Sequence, residues 1–107
     1  MNFALKNIPY RTAKPRTYGT TMVMDKGMGL DGTKDFLSVA APYVDIVKLG
    51  FGTSYVTNQL REKIDIYQGY NIPVYFGGTL FEAFLVRDQF DDYLEVVKEF
   101  GLDHVEV

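Results

Sequence analysis

The sequence predicts an α/β fold built from parallel βα units, and three observations carry that expectation. Short apolar, β-branched runs recur along the chain, each stops at a glycine-rich turn, and the stretches between them place apolar residues at helical spacing. With 47% hydrophobic and 23% charged residues over 107 positions, the composition is that of one globular domain able to bury a core.

Residues 1–19 read as an irregular leader. Met1 to Arg16 mixes Lys6, Arg11, Lys14 and Arg16 with Pro9 and Pro15 and holds no continuous apolar segment, so no signal peptide or membrane span is expected there. Arg11 and Arg16 could reach an anion, but a basic leader of this kind is expected to be solvated. The first strand is the run Thr20-Thr21-Met22-Val23-Met24, closed by the turn Asp25-Lys26-Gly27-Met28-Gly29. Thr33 is placed to cap a helix with Phe36, Leu37, Ala40 and Ala41 on one face, and Pro42 marks its end.

The second strand is Val44 to Leu49, ending at Gly50-Phe51-Gly52-Thr53-Ser54. A helix starting near Thr57 sets Leu60, Ile64 and Tyr67 along a buried stripe, with Arg61, Glu62, Lys63 and Asp65 on its solvent face. The third strand is Ile72 to Phe76, closed by Gly77-Gly78, and Thr79 with Glu82 matches a capping box. That helix is expected to break near Asp88, which would cap a further helix carrying Phe90, Leu94 and Val97 before Gly101 ends it. Leu102 to Val107 reads as a fourth strand.

Strands alternating with helices imply parallel pairing, since each helix returns the chain to the same end of the sheet. Doubly wound sheets and closed (β/α)₈ barrels both satisfy the pattern. A barrel typically needs about 250 residues, so length alone favours a small doubly wound sheet.

The charge balance narrows the function. A net charge of −3 leaves little field for nucleic acid or an anionic membrane surface, and neither is an expected partner. Cysteine is absent and there is one histidine, which removes disulfide frameworks, thiolate metal sites and a histidine-built zinc site. The expected compartment is the cytoplasm.

In either parallel fold, ligands gather at the carboxyl ends of the strands. Asp25 and Lys26 finish the first strand there, Lys48 lies near the end of the second, and Glu106 lies in the fourth. Val47 and Leu49 should pack under helices, which turns the Lys48 amine to the opposite face. The same parity sends Val105 and Val107 outward and His104 and Glu106 inward, so Lys48 and Glu106 could share one interior. The plainer alternative is a structural ion pair. Asp25 has the plain alternative of a turn residue, and His104, near the amino end of its strand, is left to packing.

Gly50-Phe51-Gly52-Thr53-Ser54 and Gly77-Gly78-Thr79 are candidate anion cradles, because glycine frees backbone amides beside a hydroxyl and a helix N-terminus. Each is equally readable as a tight turn. Neither matches GxGxxG, and no GKS or GKT phosphate loop occurs. Glu82 is read as a cap residue.

MVMDKG, YVDIVKLGFGTS, NIPVYFGGTLFE and the final HVEV, in that order, resemble the opening of the phosphosulfolactate synthase family of coenzyme M biosynthesis. The resemblance runs from about Arg16 onward. It implies strands one to four, the first half, of a TIM (β/α)₈ barrel, in place of the small doubly wound sheet. It also implies magnesium-dependent addition of sulfite to phosphoenolpyruvate, giving phosphosulfolactate. On the matched motifs, Asp25 becomes a candidate magnesium ligand, Lys48 a candidate charge stabiliser or acid, and Glu106 a second catalytic and metal-binding carboxylate. Lys26, Gly52, Thr53, Ser54, Gly77, Gly78 and Thr79 would border the anionic substrates. Phe76 departs from the family pattern, which often has proline before the glycine pair, and the family's later acidic and basic motifs have no counterpart here.

A half barrel leaves strand edges and an inner face open, so a homo-oligomer or dependence on the missing half is expected, with the shortened chain inactive or incomplete. Two other readings stand beside the enzyme. One is a non-catalytic binding, stress-related or assembly module, since relatives of this barrel include a plant heat-acclimation protein. The other is a phosphate-handling aldolase with Lys48 as Schiff base.

Overall fold

A computed structural model describes all 107 residues. The elements are β1 (Met22–Asp25), α1 (Leu30–Ala40), a 3₁₀ turn (Ala41–Tyr43), β2 (Ile46–Leu49), a second 3₁₀ turn (Thr53–Tyr55), α2 (Leu60–Gly69), β3 (Val74–Phe76), α3 (Gly78–Leu85) and α4 (Phe90–Glu99). The strands form one parallel sheet in the order β1-β2-β3, with Met24 beside Lys48 and Lys48 beside Tyr75. The architecture is therefore α/β, with three parallel strands and four α-helices.

The sheet is covered on one face. Val47 and Leu49 of β2, with Val74 and Phe76 of β3, meet Leu37 of α1, Ile64 and Tyr67 of α2 and Leu80 of α3 in a single core. Ile64, fully buried, contributes about 1.5–3 kcal/mol by leaving water. Strand parity sends Met22, Ile46, Lys48 and Tyr75 to the other face, where no helix lies.

Several local expectations are corrected. Gly29, not Thr33, precedes α1; Thr33 sits inside the helix, buried, with its hydroxyl donating to the Gly29 carbonyl. α2 begins at Leu60 rather than near Thr57, and Lys63 is buried on its core side instead of solvated. The Thr79–Glu82 capping box does not form, because α3 opens at Gly78 and has no side-chain cap. Asp88 does not cap α4, whose N-terminal neighbour is Gln89. The buried side of α4 is set by Tyr93, with Val96 and Val97, while Phe90 and Leu94 are each 45% exposed.

Gly101 ends α4 with φ +65°, its amide bonded to Lys98 and that of Leu102 to Val97, the paired closure that favours glycine. Beyond it, Leu102 packs on the core, but no backbone hydrogen bond joins residues 103–107 to β3. The fourth strand is thus not laddered, and Val105 and Val107 are exposed rather than packed outward under helices. With the inner face uncovered, an added strand would bury only part of its side chains and gains less than a central one.

The leader is exposed over residues 1–11 but anchored, rather than solvated, at Arg16. Arg16 donates to Asp45 Oδ1 at 2.8 Å, to the Thr12 carbonyl and to the Pro42 carbonyl, while the Thr21 amide donates to Asp45 Oδ2 at 2.7 Å. This clasp ties residues 12–21 to the amino end of β2.

Candidate functional site at the carboxyl end of the sheet

β2 carries Lys48 onto the uncovered face because its neighbours Val47 and Leu49 take the core side. Its ammonium lies 2.9 Å from Glu106 Oε2 and 3.2 Å from Oε1. The hydrogen bond that Lys48 donates to Glu106 holds its amine above the ordinary lysine value, outweighing the opposing effect of partial burial. Met22, Ile46, Tyr75, His104, Val105 and Glu106 line an open cavity of about 330 Å³ on this face.

Gly77 and Gly78 adjoin the pair. A Cβ on Gly77 would stand 3.4 Å from Lys48 Cε, and one on Gly78 would stand 3.1 Å from Glu106 Oε1. The Glu106 carboxylate therefore sits at the start of α3, where first-turn amides lack intrahelical acceptors and favour negative charge. Lys48, Glu106, Gly77 and Gly78 form one cluster.

The second expected cradle is arranged differently. Thr53 turns both its amide and its hydroxyl back to the Gly50 carbonyl, at 3.1 and 2.8 Å. Gly52 has φ +71° and faces the Thr79 methyl, and Ser54 Oγ is buried with no hydrogen-bond partner. Between this loop and α3 lies a cavity of about 590 Å³ whose lining includes Phe51, Gly52, Tyr55, Thr79, Phe84 and Arg87. Lys26 is exposed, with Nζ 5.8 Å from the Phe51 ring centroid.

Asp25 lies apart from Lys48 and Glu106. It shares parity with Val23, so its carboxylate turns to the helix side, where it is buried. Oδ1 accepts the amides of Gly27 and Met28; Oδ2 accepts the Tyr67 hydroxyl at 2.6 Å and meets the Lys63 ammonium at 2.9 Å. Burial alone would push this carboxyl up, but the Tyr67 hydroxyl, the Gly27 amide, Lys63 and the Met28 amide together hold it below the usual carboxylate range. The same burial and the adjoining Asp25 carboxylate push the Tyr67 hydroxyl well above the usual phenol value.

The expected magnesium ligands can be tested against these contacts. Asp25 has four donors on two oxygens and no lone pair turned to the open face, Glu106 is committed to Lys48, and the two carboxylates occupy opposite sides of the sheet. No group of three or more acidic or histidine side chains converges anywhere in the chain. These residues do not by themselves make a magnesium site.

Sequence reasoning missed Lys63 and Tyr67 as partners of Asp25. Their spacing of four, with Leu60 three residues before Lys63, already places all three on one side of α2.

Residues 9–107 match the family model described as (2R)-phospho-3-sulfolactate synthase (ComA). Phosphosulfolactate synthase from Methanothermobacter thermautotrophicus is 37% identical over 101 residues, which is 92% of this chain and 39% of that protein. The Bacillus subtilis phosphosulfolactate synthase is 36% identical over all 107 residues and 42% of its own length. That of Methanocaldococcus jannaschii is 41% identical over 91 residues, 83% of this chain and 36% of the relative. The chain thus spans about two fifths of the length of the curated relatives it matches.

Proposed function

This chain belongs to the (2R)-phospho-3-sulfolactate synthase family, and from that premise we propose that it forms part of an enzyme that adds sulfite to phosphoenolpyruvate, giving phosphosulfolactate. Sulfite sulfur attacks the methylene carbon and a C–S bond forms. The C=C electron pair moves toward the carboxylate as an enediolate, and a proton delivered to the neighbouring carbon completes the product. The reaction needs positive charge at the substrate carboxylate, donors at the phosphate, and an acid.

The observation that supports this reading most is the Lys48–Glu106 pair, 2.9 Å apart on the uncovered face beside the Gly77-Gly78 turn. An amine held above its ordinary value stays charged at neutral pH and is a poor proton donor, so Lys48 is assigned as charge stabiliser and Glu106 as the group that orients it. The general acid is assigned to residues outside these 107. Magnesium, which would stabilise the enediolate carboxylate, is proposed to draw on donors outside them too. The raised amine also argues against a Schiff-base aldolase, which needs a depressed one.

The same proposal closes the open sheet face with further βα units of a (β/α)₈ barrel, or with a second copy of the chain, and sets the protein in the coenzyme M pathway of the cytoplasm. No helix is long and apolar enough to cross a membrane. The uncovered face favours one second reading, in which the 107 residues act as a binding or assembly module without turnover. Sulfite-dependent consumption of phosphoenolpyruvate with magnesium, measured on this chain and on a complete one, separates the two. In the complete chain, Lys48→Met is expected to reduce turnover by about 10²–10³, and near-normal turnover overturns the assignment.

A further inference from the structure

We infer that Lys63 and Tyr67 are positioning residues: with Asp25 they form a buried lock on the β1–α1 loop, and through that loop they hold Lys26 at the substrate-facing end of the sheet. The inference rests on the reading above for the nature of the ligand, an anionic phosphate ester, but the lock itself stands on contacts alone.

Residues 27 and 28 are gripped from both sides. Asp25 Oδ1 accepts the Gly27 and Met28 amides at 2.8 and 2.9 Å, and the Lys63 ammonium donates to the Met28 carbonyl at 2.6 Å. Lys63 also meets Asp25 Oδ2 at 2.9 Å, and the Tyr67 hydroxyl donates to the same oxygen at 2.6 Å. All three side chains are 2% exposed or less. Gly27 has φ +120°, a conformation that side-chain-bearing residues rarely adopt, and its Cβ position would fall 3.8 Å from the Thr53 methyl. The locked loop therefore abuts the loop after β2. Lys26, between the two fixed residues, projects over Phe51 of that second loop.

Such a network is a costly way to fill space. Well-packed apolar residues of similar volume stabilise a core as well as a buried ion pair, or better. What the charged pair adds is directional: it fixes carbonyl and amide groups of a loop whose glycines at 27 and 29 offer no side chains to anchor. Fixing that backbone limits where the Lys26 amine can reach, which reduces the ordering cost of binding an anion.

The test uses a complete chain that contains these 107 residues, with phosphoenolpyruvate as probe and NMR as readout. Tyr67→Phe removes one donor from Asp25 and keeps the aromatic volume. It is expected to speed amide exchange at Gly27 and Met28 while leaving β2 protected, and to weaken phosphoenolpyruvate binding about tenfold, the loss of one charge-assisted hydrogen bond. Lys26→Met is expected to weaken binding to a similar degree, and the double variant no further, because both act through one amine. Additive losses, or weakened binding in Tyr67→Phe with exchange at Gly27 and Met28 unchanged, overturn the inference. A complete wild-type chain that gives no response to phosphoenolpyruvate overturns both the functional reading and the ligand role, whereas unchanged exchange in Tyr67→Phe removes the lock alone. Lys63→Met, in which Asp25 loses its cation, is expected to accelerate the same two amides, and protection equal to wild type counts against the lock as well.

Discussion

Replacing Asp45 by asparagine should destabilise the chain by about 2–3 kcal/mol. Asparagine keeps an acceptor for the Thr21 amide but turns an NH₂ group toward Arg16, whose side chain is only 4% exposed. Removing one partner of a buried ion pair costs about 3–5 kcal/mol because the other charge is left uncompensated. Arg16 would retain the Thr12 and Pro42 carbonyls as acceptors, and hydrogen bonds to a charged group recover about 1.5 kcal/mol or more. That places the net cost at the low end. Urea unfolding followed by circular dichroism at neutral pH measures it. Pairing Asp45→Asn with Arg16→Met in a double-mutant cycle isolates the coupling, expected at about 1–3 kcal/mol. Limited proteolysis should report the same event as faster cleavage before Thr21. A cost under about 0.5 kcal/mol, the value of an exposed pair, would refute the view that this clasp anchors the leader.

Asp25 and Asp45 both titrate below the ordinary carboxylate value of 3.8, despite burial that opposes it in each case. Their contribution is therefore present above that value and lost as pH falls through the lower native values, so acid unfolding of Asp45→Asn should show a flatter pH dependence than wild type. At the alkaline end Lys48 has the opposite sign: its stabilising contribution is complete below 10.5 and is lost as pH rises through the higher folded value, a loss that Glu106→Gln should abolish in alkaline unfolding scans. Gly78→Ala places a methyl 3.1 Å from Glu106 Oε1 and should push the carboxylate off the start of α3. A lowered Lys48 amine, read by NMR titration, is the expected result, and an unchanged one counts against the close approach.

Strand parity was legible wherever one face of a strand was clearly more apolar. Val47 and Leu49 alternate with Lys48, and the structure divides them between core and open face as that pattern requires. β1 was not legible, because Met22, Val23 and Met24 are apolar on both faces; the side taken by Asp25 is decided by Lys63 and Tyr67, forty residues away in sequence. Lys63 was read as solvated from its charge, although its spacing from Tyr67 placed it on the buried side, and a carboxylate across the core makes that burial tolerable. The expected caps did not form: α1, α3 and α4 are preceded by Gly29, Gly77 and Gln89, none of which makes a side-chain cap, so Thr33 and Thr79 lie inside their helices and Asp88 lies one residue too early. The fourth strand was read from alternation alone, which cannot supply the neighbours that a ladder needs.

The proposed chemistry depends on the Lys48 amine and the Glu106 carboxylate meeting across the uncovered face of the sheet. An NMR titration of the Lys48 amine in wild type and in Glu106→Gln measures that directly. The amine should titrate above 10.5 in wild type and fall toward it in the variant. An amine that titrates at its ordinary value in both proteins would contradict the arrangement and, with it, the assignment of Lys48 as charge stabiliser.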